Sequence, residues 1–172
     1  MAHISREVAR NLIVELGLPQ VILDIFEGNP PEDCSYRYGR PDEYYRMTEE
    51  HQAHYGADAV VPFMDNSNFD VLFAYDRQRH AFLRFYVEAP AEGLARPLCS
   101  WQQLMAQEFI RHYENEMDNA LLRDFAKRFD FHFVEELIEL GERDCREDDE
   151  RWLPECEKFV AWVGERGDKA LL

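Results

Sequence analysis

The sequence lacks a long uninterrupted run of apolar residues. No stretch reaches the roughly 18 apolar residues that a membrane-spanning helix requires, so we expect no membrane partner. The N-terminal stretch MAHISREVARNLIVELG interrupts its apolar residues with Arg6, Glu7 and Arg10. It therefore has no continuous apolar core of the kind found in signal peptides, and we expect a cytoplasmic protein with reduced thiols.

Cysteine is scarce and widely spaced. The four cysteines are Cys34, Cys99, Cys145 and Cys156, and no two of them form a C-x-x-C pair. This spacing argues against a zinc knuckle and against a redox pair. Four cysteines in 172 residues are also too few for a secreted scaffold held together by disulfides. Burial as small apolar side chains is their expected role.

Basic residues are few compared with acidic ones. The chain holds 19 Lys and Arg against 35 Asp and Glu, which gives a formal net charge of −16. Binding to nucleic acid or to anionic lipid depends on clustered positive charge, so the composition argues against both. The same charge favours encounter with a basic protein.

Established catalytic signatures are absent from the sequence. It contains no G-x-S-x-G, Walker or Rossmann motif and no H-E-x-x-H zinc signature. His51 and His54 form an H-x-x-H pair that could belong to a metal or ligand pocket, whereas ordinary surface histidines are the expected interpretation. We predict no catalytic residue, no metal and no cofactor.

A second histidine group lies further along the chain. His112 could form an acid–base set with Glu108 and Glu116, which stand one turn away on either side. Charge pairing along one helix face explains the same spacing without any catalysis, and we favour that interpretation.

The residues that are present predict a folded domain with an antiparallel sheet. The chain is 46% hydrophobic and 13% aromatic, which is enough for a real core. Ala59–Glu88 holds three short apolar runs separated by two polar breaks, Asp65–Asn68 and Asp76–Arg79. This alternation is typical of a three-stranded meander. Large apolar residues occur at both odd and even positions of the strands, which predicts that both faces of the sheet are covered. Pro62 predicts an edge strand or a bulge.

Helical spacing of apolar residues dominates the rest of the chain. Predicted helices begin after Ser5, at Pro19, at Pro41, after Ser100 and near Pro154. Gly17 and Gly28 are expected to end the first two of them, and the third is expected to run to Tyr55. The predicted fold class is α+β, with N-terminal helices, an antiparallel meander and a helical C-terminal half. We expect a single domain over residues 1–172.

Acidic residues supply the candidate binding surface. They lie in the charged run 142–150 and around the meander turns. The predicted partner-binding residues are Asp65, Asp70, Asp76, Glu142, Asp144, Glu147, Asp148, Asp149 and Glu150. Turn formation explains the first three and a solvated helix end explains the others without a partner. Trp101, Trp152 and Trp162 are expected in the core, with an interface anchor as the alternative.

A series of short motifs resembles the SUKH superfamily. The series contains Gly17-Leu18-Pro19, Gly39-Arg40-Pro41, Val60–Phe63, Tyr75-Asp76 and Ser100-Trp101 followed by Leu104 and Met105. The similarity covers about residues 15–112, which leaves 115–172 as an acidic helical extension. SUKH proteins are common as immunity proteins in bacterial polymorphic-toxin systems. The resemblance implies a central antiparallel sheet surrounded by helices, no enzymatic activity, and a surface that binds and blocks a cognate toxin.

Three functional hypotheses follow from the sequence and the resemblance. The first is an immunity protein, of toxin–antitoxin type, that neutralises a basic toxin domain by direct protein–protein binding. The second is an enzyme or a metal- or ligand-binding protein that uses a pocket near His51 and His54. The third is a cytoplasmic scaffold or adaptor without a toxin partner. The sequence does not predict an oligomeric state.

Overall fold

The computed structural model describes residues 3–143 and 149–167. Its helices are α1 Arg6–Glu15, α2 Gln20–Glu27, α3 Asp42–Arg46, α4 Glu49–Gln52, α5 Pro90–Leu94, α6 Trp101–Glu114, α7 Asn119–Arg128, α8 Val134–Gly141 and α9 Asp149–Gly167. Its strands are β1 Val60–Asp65, β2 Val71–Asp76 and β3 Ala81–Tyr86. The α+β class is confirmed, and the strands form an antiparallel sheet in the order β1-β2-β3.

The chain divides into two compact units, Met1–Pro97 and Leu98–Leu172. The first unit holds the sheet with α1 to α5, and the second holds α6 to α9. Within the second unit, α6 packs against α7, α8 and α9. The single domain over 1–172 stays a prediction.

The helices of the first unit begin and end where their capping residues predict. The Ser5 hydroxyl accepts a hydrogen bond from the Val8 amide at 3.3 Å, which satisfies one free donor at the start of α1. Gly17 and Gly28 end α1 and α2 in the left-handed region, with φ of 62° and 83°. Glycine adopts this region without a steric cost, so both predicted stops are confirmed.

The sheet carries its proline on an edge strand, as predicted. Pro62 lies in β1, and the register with β2 shifts between Pro62 and Met64. Because proline has no amide donor, an edge position beside a bulge leaves no ladder bond missing. On β1, Asp65 forms an isolated antiparallel bridge with Gly39. The helix α5 packs on the other edge strand, β3.

Both faces of the sheet are covered. All residues of β1 and β2 are buried, although successive side chains point to opposite faces. Phe63 and Phe73 are fully buried, and Phe63 meets Phe82 edge to face at 6.4 Å. The predicted two-sided burial is confirmed.

The prediction of one continuous helix from Pro41 to Tyr55 is wrong, because the structure has two separate helices, α3 and α4, in this segment. The chain turns to an extended conformation at Met47 (φ −69°, ψ 152°) and starts again with α4. Thr48 begins the new helix, since its hydroxyl accepts a hydrogen bond from the His51 amide. A short 3₁₀ turn, Ala53–Tyr55, follows. The apolar spacing continues through the break, so periodicity alone did not reveal the cap.

The second unit is built around α6. Ser100 caps this helix by accepting a hydrogen bond from the Gln103 amide at 3.2 Å, as predicted. The Trp101 indole donates to the Phe129 carbonyl oxygen at 2.7 Å. Phe109, Phe125 and Phe129 are fully buried and contact one another through ring edges and tilted faces. These aromatic contacts join α6 to α7.

Two prolines lie at or within helices. Pro90 opens the short helix α5, because the first helical position needs no amide donor. The last helix begins at Asp149, so Pro154 lies inside α9 and does not start it. Within the described part of the chain, none of the helices is long and apolar enough to cross a membrane.

Candidate partner-binding site

Asp65 is a buried turn residue. It is 5% exposed, and its backbone pairs in both directions with Gly39. Its Oδ1 accepts a hydrogen bond from the Ser67 amide at 2.7 Å, which holds the turn between β1 and β2. Burial raises the pKa of the Asp65 carboxyl to about 6, and the negative charges of Asp42 and Asp70 act in the same direction. Its burial argues against direct contact with a partner.

The raised pKa predicts that Asp65 makes stability depend on pH. In the unfolded chain the group titrates near 3.8, so its protonation favours folding below that pH. This contribution is lost as the pH rises through about 6. We expect Asp65→Asn, which keeps the acceptor for Ser67, to raise the free energy of unfolding by about 1–2 kcal/mol at neutral pH. The full shift would give more, but the exposed neighbours Ser67 and Asn68 bring solvent close to the buried carboxyl and screen its charge.

Urea unfolding of both proteins near pH 4 and near pH 7.5 measures this effect. The variant and the wild type should differ little at the lower pH, because the wild-type carboxyl is then largely protonated. Lower stability of Asp65→Asn at the higher pH would contradict the argument.

Asp76 plays a matching role in the turn between β2 and β3. It is 4% exposed, and its Oδ1 accepts hydrogen bonds from the Gln78 and Arg79 amides, both at 2.9 Å. Burial alone would raise its pKa, but the hydrogen bonds from Arg79 and Gln78 outweigh burial and hold it below the ordinary value. Arg79 also donates to the Leu94 carbonyl oxygen, which ties the turn to α5. Of the three predicted turn acids, only Asp70 is exposed.

The predicted acidic run is only partly described. Glu142 is exposed at the C-terminal end of α8, and Glu150 is exposed in the first turn of α9. The backbone of Asp149 opens α9. Asp144, Glu147 and Asp148 lie outside the described residues. Among the described acids of this run, Glu142 and Glu150 are accessible, and they lie at the ends of α8 and α9.

The histidine pair does not form a developed site. His51 lies in α4 and His54 in the following 3₁₀ turn, and both are exposed. Over residues 3–143 and 149–167, no three side chains of His, Cys, Asp or Glu come together as metal ligands. Exposed positions at the junction of two short helical segments fit ordinary surface histidines.

The His112 group is divided between the core and the surface. Glu108 and His112 are buried, with Glu108 Oε1 at 3.8 Å from His112 Nε2 and at 3.2 Å from Arg111 Nη2. Glu116 is exposed and has a positive φ of 58°, outside α6. The predicted charge pairing thus holds for Glu108 with its two neighbours on the helix, and Glu116 takes no part in it.

A groove lies between α8 and α9, both of which pack on α6. We call it the α8–α9 groove. Its volume is about 390 Å³. Its walls are formed by Glu136, Glu139, Leu140 and Arg143 of the α8 segment and by Glu155, Lys158, Phe159 and Trp162 of α9. This volume lies in the range of ordinary binding cavities in proteins.

The floor of the groove is apolar and aromatic. Leu140 and Phe159 are buried, and Trp162 is half-buried. The Phe159 and Trp162 rings stack with centroids 6.0 Å apart at 20°, and Phe133 meets Trp162 edge-on at 5.4 Å. The Arg166 guanidinium lies 4.4 Å from the centre of the Trp162 ring. A partly exposed tryptophan fixed by these contacts is a rigid apolar anchor.

The rim of the groove is charged. Lys158 Nζ lies 2.5 Å from Glu155 Oε1, and its hydrogen bond lowers the pKa of that carboxyl. Glu136 and Glu139 are exposed on the opposite wall and form no ion pair with another described residue. Arg143 also lines the α8 wall, so two carboxylates stand against one guanidinium there and the net charge of this wall is negative.

A second cavity in this unit has a different electrostatic character. Its volume is about 380 Å³, and it lies beside α7. Four of its charged or titratable groups form two pairs: Arg123 Nε lies 2.7 Å from Glu135 Oε1, and His132 Nε2 lies 2.9 Å from Asp130 Oδ1. Lys127, which also lines the cavity, lies 4.0 Å from Asp124 Oδ1. These charges are compensated internally, which makes this cavity a weaker candidate for binding a charged partner.

Sequence reasoning identified only one member of the α8–α9 groove as an interface candidate. Trp162 was predicted as a core residue with an interface anchor as the alternative, and its half-exposed position fits that alternative. Trp152 is 3% exposed and donates to Glu114, as expected of a core residue. The spacing of Glu155, Phe159 and Trp162 along one helix face is the signal that could have indicated the groove.

The chain matches no protein-family model, and comparisons with curated proteins and with solved structures likewise found no match.

Proposed function

We propose that this protein binds and neutralises a basic toxin domain, as SUKH immunity proteins do, and that it works in the cytoplasm without a cofactor. The observation that carries the proposal is the α8–α9 groove, where exposed carboxylates stand beside a rigid aromatic floor. Partly buried aromatic side chains are enriched among the residues that dominate binding energy at protein interfaces.

The charge of the chain supports the same proposal. A net charge of −16 attracts a basic protein over a distance of about one Debye length, roughly 8–10 Å at physiological salt. Such attraction raises the association rate and gives it a strong dependence on ionic strength. Toxin domains that act on nucleic acid need positive charge at their active sites, and an acidic protein is suited to cover that surface.

The experiment combines the purified protein with the toxin domain encoded beside its gene. The proposal predicts a stable complex and a loss of the toxin's activity when the protein is present in equimolar amount. It is contradicted if a neighbouring toxin is present and stays fully active in excess of the protein, or if no such gene exists.

A scaffold or adaptor is separated from an immunity protein by the same experiment. Both would form a complex, but only the immunity protein would abolish an activity of its partner. Binding without inhibition would therefore favour the scaffold.

A further inference from the structure

We propose that the α8–α9 groove receives an amphipathic helix of the partner, with apolar residues on the groove floor and Lys or Arg on the side that faces α8. This inference rests on the proposed binding function and specifies the chemistry of the segment that is bound.

The shape of the groove favours a helix. Its walls are two helices that both lie on α6, so the groove has the form of an unfilled position in a helix bundle. On the α9 wall the lining residues run from i to i+7, at 155–162, which corresponds to two helical turns or roughly 10 Å. On the other wall they run from 136 to 143, just beyond the end of α8 at Gly141. An amphipathic helix presents its apolar residues over the same length, at i, i+3 or i+4, and i+7.

The floor determines the apolar part of the partner. Leu140, Phe159 and Trp162 offer aliphatic and aromatic surface without a hydrogen-bonding group other than the indole N–H. A volume of about 390 Å³ accommodates a few large side chains, such as leucine or phenylalanine, and excludes a whole helix backbone. We therefore expect the partner's side chains to enter the groove and its backbone to lie above the rim.

The charges on the rim determine which side of the partner helix carries Lys or Arg. On the α9 wall, Glu155 is compensated by Lys158 at 2.5 Å. On the α8 wall, Glu136 and Glu139 stand one turn apart, have no ion-pair partner within the described residues, and outnumber the one cation of that wall, Arg143. Lys or Arg on the α8 side of the partner would compensate these carboxylates, whereas acidic residues there would be repelled.

The test uses two fluorescein-labelled synthetic peptides and the full chain. Both peptides carry leucines at positions that span two helical turns. One has lysines along one flank, and the other has glutamates at the same positions. Fluorescence anisotropy should show saturable binding of the lysine peptide and at least about tenfold weaker binding of the glutamate peptide. Equal binding of the two, or no saturable binding of either, would overturn the proposal.

Matched variants of the protein test whether the peptide binds in the groove. Glu136→Gln with Glu139→Gln should weaken the affinity for the lysine peptide by about tenfold. Glu157→Gln with Glu165→Gln makes the same change of charge at exposed positions of α9 outside the groove, and should change binding by less than about twofold. Equal effects of the two double variants would show that only net charge matters and would overturn the proposal.

Trp162→Ala tests the floor and should weaken binding by roughly 30-fold. Circular dichroism confirms that the variant is folded, and the glutamine variants keep the test valid if it is not. Self-association of the wild type that disappears in Trp162→Ala would show that a second copy fills the groove, and would overturn the proposal.

The outcomes separate this inference from the proposed function. Neutralisation of the toxin with unchanged affinity in the groove variants would refute the groove and retain the function. Specific binding of the lysine peptide by a protein that has no toxin to neutralise would support the groove and refute the proposed function.

Discussion

Phe125→Ala should lower the free energy of unfolding by about 3–5 kcal/mol. Phe125 is fully buried in α7, and its ring meets His112 edge to face at 5.8 Å and Phe129 at 6.0 Å. Truncation removes apolar contact and leaves a cavity that the surrounding aromatic rings cannot close. This is the largest effect on stability that we expect from any substitution considered for the second unit.

Urea unfolding followed by circular dichroism measures the loss, and Leu153→Ala provides the control. Leu153 is 59% exposed on α9, so its truncation should change stability by less than about 0.5 kcal/mol. A loss below about 1 kcal/mol for Phe125→Ala would contradict the packing described for α6 and α7.

Glu108→Ala should destabilise the protein by about 3 kcal/mol, the second large effect. Glu108 is 1% exposed and lies 3.2 Å from Arg111 Nη2. Arg111 Nε is buried without a hydrogen-bond partner, so the guanidinium already lacks one contact. Removing the buried carboxylate would take the ion-pair partner from a guanidinium whose Nε is buried, while the Arg111 side chain as a whole stays 35% exposed.

Glu116→Ala is the matched control, because Glu116 is exposed just beyond the end of α6. It should change stability by no more than about 0.5 kcal/mol. If the two substitutions destabilised the protein equally, the distinction between a buried pair and a surface carboxylate would be wrong. Thermal unfolding of both variants in the same buffer makes the comparison.

Local signals explain why much of the fold could be predicted from the sequence. Ser5, Ser100, Gly17 and Gly28 act through contacts within one turn of the chain, and each ends or begins a helix where expected. The meander is equally local, since its strands are joined by short turns. Pro62 marks the edge because the missing donor is a property of the residue itself.

The break at Thr48 was missed because two local signals competed there. The apolar spacing from Tyr44 to Tyr55 fits a continuous helix, but the Thr48 hydroxyl offers the chain a new start. The hydroxyls of Tyr44 and Tyr45 donate to the carbonyl oxygens of Val60 and Pro62. These hydrogen bonds hold α3 against β1. Such non-local contacts cannot be derived from spacing.

The α8–α9 groove was missed for a similar reason. Its two walls are separated in sequence, and they form a groove only because both helices pack on α6. The sequence showed an acidic C-terminal third and a tryptophan with two possible roles. Asp65 and Asp76 were predicted at a partner-binding surface because of their charge, whereas the structure buries both carboxyls in turns.

The proposed function rests on the binding of a basic partner in the acidic α8–α9 groove. The most direct measurement is the affinity of the neighbouring-gene toxin domain for the wild type, for Glu136→Gln with Glu139→Gln, and for Glu157→Gln with Glu165→Gln, at low and at high salt. We predict that the groove variant loses about tenfold in affinity at low salt, that the loss shrinks at high salt, and that the control variant stays close to the wild type. Affinity that is the same for all three proteins and independent of salt would contradict the claim.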